Sequence, residues 1–145
     1  SFPTRRSSAL EPLSGYICLA AELKNSPVDS HLDSAFNFGP SLESNRSVAE
    51  VVAEITRYLK GSWHDASDKN ARHEAGKLNL ATNKAYHLIR WRPVWDCEST
   101  IRRTAEWYSQ SEEGLSATEL TSMQISDYIS DAAANQLPWA VSSSA

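Results

Sequence analysis

A chain of 145 residues suffices for one modest core and one domain. With 41% hydrophobic and 22% charged residues its composition is globular, and a net charge of −4 argues against a nucleic-acid partner held through phosphates, which requires a basic face. No apolar run nears the roughly 18 residues of a membrane span, and Cys18 and Cys97, far apart and without metal-ligand spacing, are expected as two reduced thiols in a cytoplasmic protein.

The Ser/Arg-rich start, Ser1 to Ser8, has no apolar segment, and residues 1–9 read as a non-native leader. Residues 11–24 read as a helix. Leu13, Tyr16, Ile17, Ala20 and Leu23 or Lys24 recur at helical spacing as one buried stripe, and Pro12 sits in the first turn, where its missing N–H costs nothing. Glu11 is expected to cap this helix. Ala35-Phe36-Asn37-Phe38 is a short strand candidate closed by Gly39-Pro40. Ser47-Val48-Ala49-Glu50 has the pattern of a capping box and opens a helix over 48–60, stopped by Gly61 and expected as the best-formed element. Ser62-Trp63-His64 is a second short strand candidate, 65–76 a loop, and 77–80 an extended stretch.

Thr82 or Asn83 caps a short helix to about Ile89. Trp91-Arg92-Pro93-Val94-Trp95 is extended, since Pro93 disfavours helix at Arg92. Asp96 caps a helix over 98–110 with Ile101, Ala105 and Tyr108 inward, and a last helix over 118–133 carries Leu120, Ile125, Tyr128 and Ile129. Trp91, Trp95 and Trp107 are assigned to core packing. Arg102-Arg103 near Glu106 reads as a solvated helix face, and His31, His64 and His87 as solvated or locally hydrogen-bonded imidazoles, because their spacing fits no zinc motif. Residues 134–145 form a Ser-rich, flexible tail.

Several runs resemble CDP-glucose 4,6-dehydratases, members of the NAD-dependent epimerase/dehydratase family of extended short-chain dehydrogenases/reductases. Leu10-Glu11-Pro12-Leu13-Ser14-Gly15-Tyr16 is the most specific. Phe36-Asn37-Phe38-Gly39-Pro40 resembles a Trp-Asn-Phe-Gly-Pro segment, and Arg46-Ser47-Val48 an Arg-Pro-Val. Ser62-Trp63, His73-Glu74-Ala75 and Lys84-Ala85 follow in the family's order. Trp91-Arg92-Pro93 with Trp95-Asp96, then Glu106-Trp107-Tyr108, and finally Thr121, Gln124, Ile125 and Tyr128 complete the likeness. Arg90 stands where that family has a helix-ending Gly, Ala81 where it has Asp, and Asn70-Ala71-Arg72 in place of a Pro-rich approach to His73.

The resemblance implies the C-terminal, substrate-binding portion of such an enzyme, over residues 10–133. It implies an α+β fold, mostly α, lacking most of the Rossmann sheet. The parent reaction would convert CDP-glucose to CDP-4-keto-6-deoxy-glucose for deoxysugar and polysaccharide synthesis. Asn37, Gly39, Pro40, Arg46, His73 and Glu74 would approach the nucleotide sugar, with the Arg46 guanidinium suited to its pyrophosphate. NAD would be held by a domain outside this chain, and the parent would be a homo-oligomer. The residues agree on one point: the five glycines, at 15, 39, 61, 76 and 114, form no phosphate-cradling turn, and no Tyr is followed four residues on by Lys. The chain alone is therefore expected to be inactive, and its apolar helix 11–24 and strand 35–38 to have packed on the dinucleotide domain. Another nucleotide-sugar dehydratase or epimerase, or a stand-alone helical interaction module, are the alternative readings.

Overall fold

The computed structural model describes residues 9–26, 31–41, 44, 46–66 and 80–141. Its elements, in chain order, are α1 (Leu10–Asn25), α2 (Val48–Ile55), α3 (Asn83–Ile89), α4 (Cys97–Glu112) and α5 (Ala117–Ala134). Among the described residues there is no strand, so the α+β expectation is corrected to an all-helical fold. The strand candidates 35–38 and 62–64 are irregular backbone without a ladder partner, and 91–95 is non-helical, in keeping with Pro93. Alternating side chains alone do not make a strand; the backbone must find a neighbouring one. Of the 77–80 stretch, all but Leu80 lies outside the described residues.

The helix starts follow from their caps. Ser47 Oγ accepts from Glu50 N and Glu50 Oε2 accepts from Ser47 N at 2.7 Å, closing the expected capping box of α2. Ser116 and Glu119 form a second such box at α5. Asp96 Oδ1 accepts from Ser99 N at 2.8 Å and starts α4. α2 is shorter than expected. It ends at Ile55 and runs out through tight turns, with Arg57 N donating to Glu54 O at 3.1 Å and Tyr58 N to Ile55 O at 3.0 Å. At eight residues, none of them buried, it is less anchored than the sixteen-residue α1 and α4.

α4 and α5 form an antiparallel hairpin across Gly114, whose φ of 100° is a conformation that glycine adopts without strain. Its rungs are Trp107 Nε1 to Thr121 Oγ1 at 3.4 Å, Gln124 Nε2 to Arg103 O at 2.6 Å, and Arg103 to Asp127 and Asp131 at 2.6 and 2.9 Å. Arg103 also lies over the Trp95 ring, 4.6 Å from its centroid. It is thus a bridge between helices and not part of a solvated face. Leu137, in the segment after α5, is buried, and Trp139 stacks on Tyr128 at 6.0 Å.

α1 presents the opposite face from the one expected. Glu11 and Gly15 are buried and Cys18 and Leu19 partly so, whereas Leu13, Tyr16 and Ile17 are 50%, 59% and 70% exposed. The apolar stripe exists, but it faces largely outward from the core formed by Leu32, Phe38, Ala85, Ile89 and Trp91, meeting it where the Tyr16 ring stands edge-on to Phe38 at 5.3 Å. Phe38, expected with this stripe to pack on the dinucleotide domain, lies inside the core.

A buried polar knot joins α1 to the rest. Glu11 does not cap its own helix, which has no side-chain cap. Its carboxyl instead reaches the segment before α4, where Val94 N donates to both oxygens at 3.1 and 3.0 Å and Trp95 N to Oε1 at 2.8 Å. Tyr128 OH of α5 meets Glu11 Oε2 at 2.7 Å and Ser14 Oγ at 2.9 Å, and Trp91 Nε1 donates to Ser14 Oγ at 2.9 Å.

Candidate functional site

The loop after residue 35 is held from α3. Lys84 Nζ donates to Ser34 Oγ and to Ala35 O, at 2.9 Å for the latter, and lies 4.4 Å from the centroid of the Phe36 ring. Asn37 Nδ2 donates to Ala81 O at 3.4 Å from an exposed position. Phe38 turns inward, and Gly39 is buried against Leu80, whose Cδ1 would stand 3.1 Å from an added Cβ. The loop tip therefore has little room for a side chain at 39, and Pro40 continues it outward.

Gly39 and Pro40 line a largely apolar cleft of about 340 Å³ between this loop, α2 and α4, walled by Phe38, Val51, Ile55, Leu80, Trp95 and Ile101. That is near the lower end of small-molecule sites, enough for a nucleoside-sized body. Arg46 lines a different cleft of about 470 Å³ on the other side of the α2–α4 pair, with Glu50, Glu54, Arg57, Cys97 and Glu98. Three carboxylates there face two guanidinium groups, and Arg57 is bonded to Glu54 at 2.8 Å. The two clefts share Cys97 and Ile101. The structure thus brings Gly39 and Pro40 together on one cleft, leaves Asn37 on the adjoining loop and places Arg46 next door. His73 and Glu74 lie outside the described residues.

Burial pushes the Cys18 and Cys97 thiols up, so neither is an activated thiolate. Among the described residues no group of three or more His, Cys, Asp or Glu could hold a metal. No helix among them is long and apolar enough to cross a membrane. A cleft of about 450 Å³ near Arg90 and Arg92 is basic, but α3 and α5 both end there. Arg92 Nη2 donates to the carbonyl of Asn135 at 2.9 Å, as cations at helix C-termini do. Arg90 occupies a left-handed backbone conformation with φ 53°, where the resembled family has Gly. Sequence reasoning missed the polar knot and the cleft against α4. The α5 cap was signalled by Ser116-x-x-Glu119; the cleft had no linear signal, because α2 and α4 meet only in the fold.

These helices and clefts define a helical body with an apolar, nucleoside-sized recess and no feature of a dinucleotide-binding domain among the described residues. No protein-family model matches the chain. It is distantly homologous to the CDP-glucose 4,6-dehydratase of Salmonella typhimurium (strain LT2), 31% identical over 126 residues that make up 83% of this chain and 33% of that protein. The chain spans about a third of the length of the curated relative it matches. The homology links it to the superfamily of nucleotide-sugar dehydratases and epimerases.

Proposed function

We propose that this chain supplies part of the nucleotide-sugar site of a 4,6-dehydratase that converts CDP-glucose to CDP-4-keto-6-deoxy-glucose, acting in the cytoplasm as a homo-oligomer. The homology to CDP-glucose 4,6-dehydratase over 83% of the chain is the observation that carries this reading. The cleft at Gly39 and Pro40 supports it, since apolar walls with room for about one nucleoside suit a base and ribose. Asn37, Gly39 and Pro40 would contact the nucleotide, and His73 and Glu74 would approach the same ligand. In this reading NAD and the catalytic tyrosine and lysine belong to a part of the protein outside this chain. The residues present do not fit NAD, for they offer no Gly-rich turn leading from a strand into a helix, and the chain alone is inactive.

Arg46 is assigned to the pyrophosphate. Glu50, Glu54 and Glu98 line the same cleft and would repel a phosphate, so this assignment is the one most open to test. In the full-length protein, Arg46→Ala is expected to weaken CDP-glucose binding about tenfold or more, the size of one lost charged hydrogen bond, and Arg46→Lys to restore only part, because an ammonium lacks the guanidinium fork. Titration calorimetry measures both. Unchanged affinity in Arg46→Ala would leave that side chain to its carboxylate neighbours, and no CDP-glucose binding by the unaltered protein would overturn the proposed substrate.

A further inference from the structure

Three oxygen–oxygen contacts close a loop between α1 and α5. Tyr128 OH lies 2.7 Å from Glu11 Oε2 and 2.9 Å from Ser14 Oγ, and Ser14 Oγ lies 2.8 Å from the Glu11 carbonyl oxygen. All three separations lie within hydrogen-bond range, and three hydrogen bonds need three protons. The two hydroxyls own one proton apiece, and the carbonyl owns none. The indole proton of Trp91 points at Ser14 Oγ from outside the loop. One proton is missing, and the remaining group in the loop able to hold it is the Glu11 carboxyl.

We propose that Glu11 closes this loop as a neutral acid, a proton latch that ties α1 to α5 and is released as the pH rises. Glu11 Oε2–H donates to Tyr128, Tyr128 O–H to Ser14, and Ser14 O–H to the Glu11 carbonyl. Ser14 Oγ then accepts from Tyr128 and Trp91 and is fully used. When Glu11 is ionised, Tyr128 must turn its proton to the carboxylate. Ser14 then serves either Tyr128 or the carbonyl, and one pair of oxygens faces without a proton.

The groups around Glu11 are consistent with this. The amides of Val94 and Trp95 favour the anion, as does the Tyr128 hydroxyl, but burial outweighs them and holds the carboxyl above the ordinary glutamate value of 4.5. Among the described residues no cationic side chain pairs with Glu11, since Arg103 of α4 is taken by Asp127 and Asp131 of α5. Burial above all keeps the Tyr128 hydroxyl protonated well beyond the usual tyrosine range, and the charges of Glu11 and Cys18 add to this once those groups ionise. A folded value above the unfolded one has a definite consequence. The latch contributes its full stability below about 4.5 and loses it as pH rises through the folded value of Glu11.

The test is a carbon-13 carboxyl titration of Glu11 in the full chain, assigned by loss of its signal in Glu11→Gln. The expected midpoint lies clearly above 4.5. In Ser14→Ala the loop is open, its missing proton is no longer required, and the midpoint should fall by about one unit, a tenfold weaker hold on the proton. A glutamate raised by burial alone would not respond to Ser14→Ala. A midpoint at or below the ordinary value, or one that stays put in Ser14→Ala, overturns the latch. Should Ser14→Ala fail to fold, Tyr128→Phe decides: the latch predicts a lower Glu11 midpoint, whereas a carboxylate that merely accepts from Tyr128 predicts a higher one and overturns the latch. Should Glu11→Gln fail to fold, Glu11 is assigned through its neighbours' resonances.

Discussion

Gly15→Ala is expected to destabilise the chain by about 2 kcal/mol or more, although alanine is the better helix former. The added methyl would overlap Cγ and Cδ1 of the Phe38 ring and stand 2.7 Å from its Cε1. The ring cannot step aside. It meets Trp91 edge-on at 5.0 Å, stacks on Phe36 at 6.2 Å and takes Tyr16 against it at 5.3 Å. Helix propensity would return about 1 kcal/mol, whereas forcing a methyl into a filled core costs about 1–3 kcal/mol and at times more, and the overlap with two ring atoms puts this position at the top of that range. Denaturant unfolding compares the variant with Gly61→Ala, where nothing lies within 4 Å of the new atom and little change is expected. A Gly15→Ala chain as stable as the wild type would mean that α1 does not sit on Phe38 as described.

Trp91→Ala has the largest expected effect, a loss of about 3–5 kcal/mol. Trp91 is 1% exposed, packs on Phe38 within the Leu32, Ala85 and Ile89 cluster, and donates its indole proton to Ser14. A domain of this size holds about 5–15 kcal/mol in all, so the cooperative thermal transition should weaken or vanish. Trp91→Phe retains most of the packing and drops the hydrogen bond, and should lose less than the alanine variant. Trp63→Ala, at an exposed position, serves as the control. A sharp transition near the wild-type midpoint in Trp91→Ala would place the core elsewhere.

Local signals were legible in the sequence where the cause is itself local. Ser47 with Glu50, and Asp96 before α4, are caps that depend on three or four adjacent residues, and the structure forms them as read. The side of α1 that is buried was not legible. Helical spacing identifies Leu13, Tyr16 and Ile17 as one stripe, but it carries no information on what lies opposite. The small Gly15 and the polar Glu11 and Ser14 are what this core accepts. Phe36, Phe38, Trp91 and Trp95 stand at strand-like spacing, yet their segments lack a neighbouring backbone and remain unpaired.

The runs read as resembling the dehydratases turn out to be largely scaffold. Glu11, Ser14, Trp91, Trp95 and Tyr128 are joined in the polar knot or next to it, while Trp107 with Thr121 and Gln124 with Arg103 O are rungs of the α4–α5 hairpin. Gly39-Pro40 was legible as a breaker pair, and no helix or strand crosses it; that it lines a cleft with α2 and α4 was not. The acidic surroundings of Arg46 were not, because Glu98 comes from α4, more than a third of the chain away.

The most direct measurement of the account exchanges this chain for the matched stretch of the Salmonella typhimurium CDP-glucose 4,6-dehydratase and titrates the folded hybrid with CDP-glucose. If this helical body recognises the nucleotide sugar, the hybrid should bind CDP-glucose within about tenfold of the unaltered enzyme, a difference of about 1.4 kcal/mol, and form the 4-keto-6-deoxy product. A hybrid that folds and binds NAD but shows no affinity for CDP-glucose would contradict it.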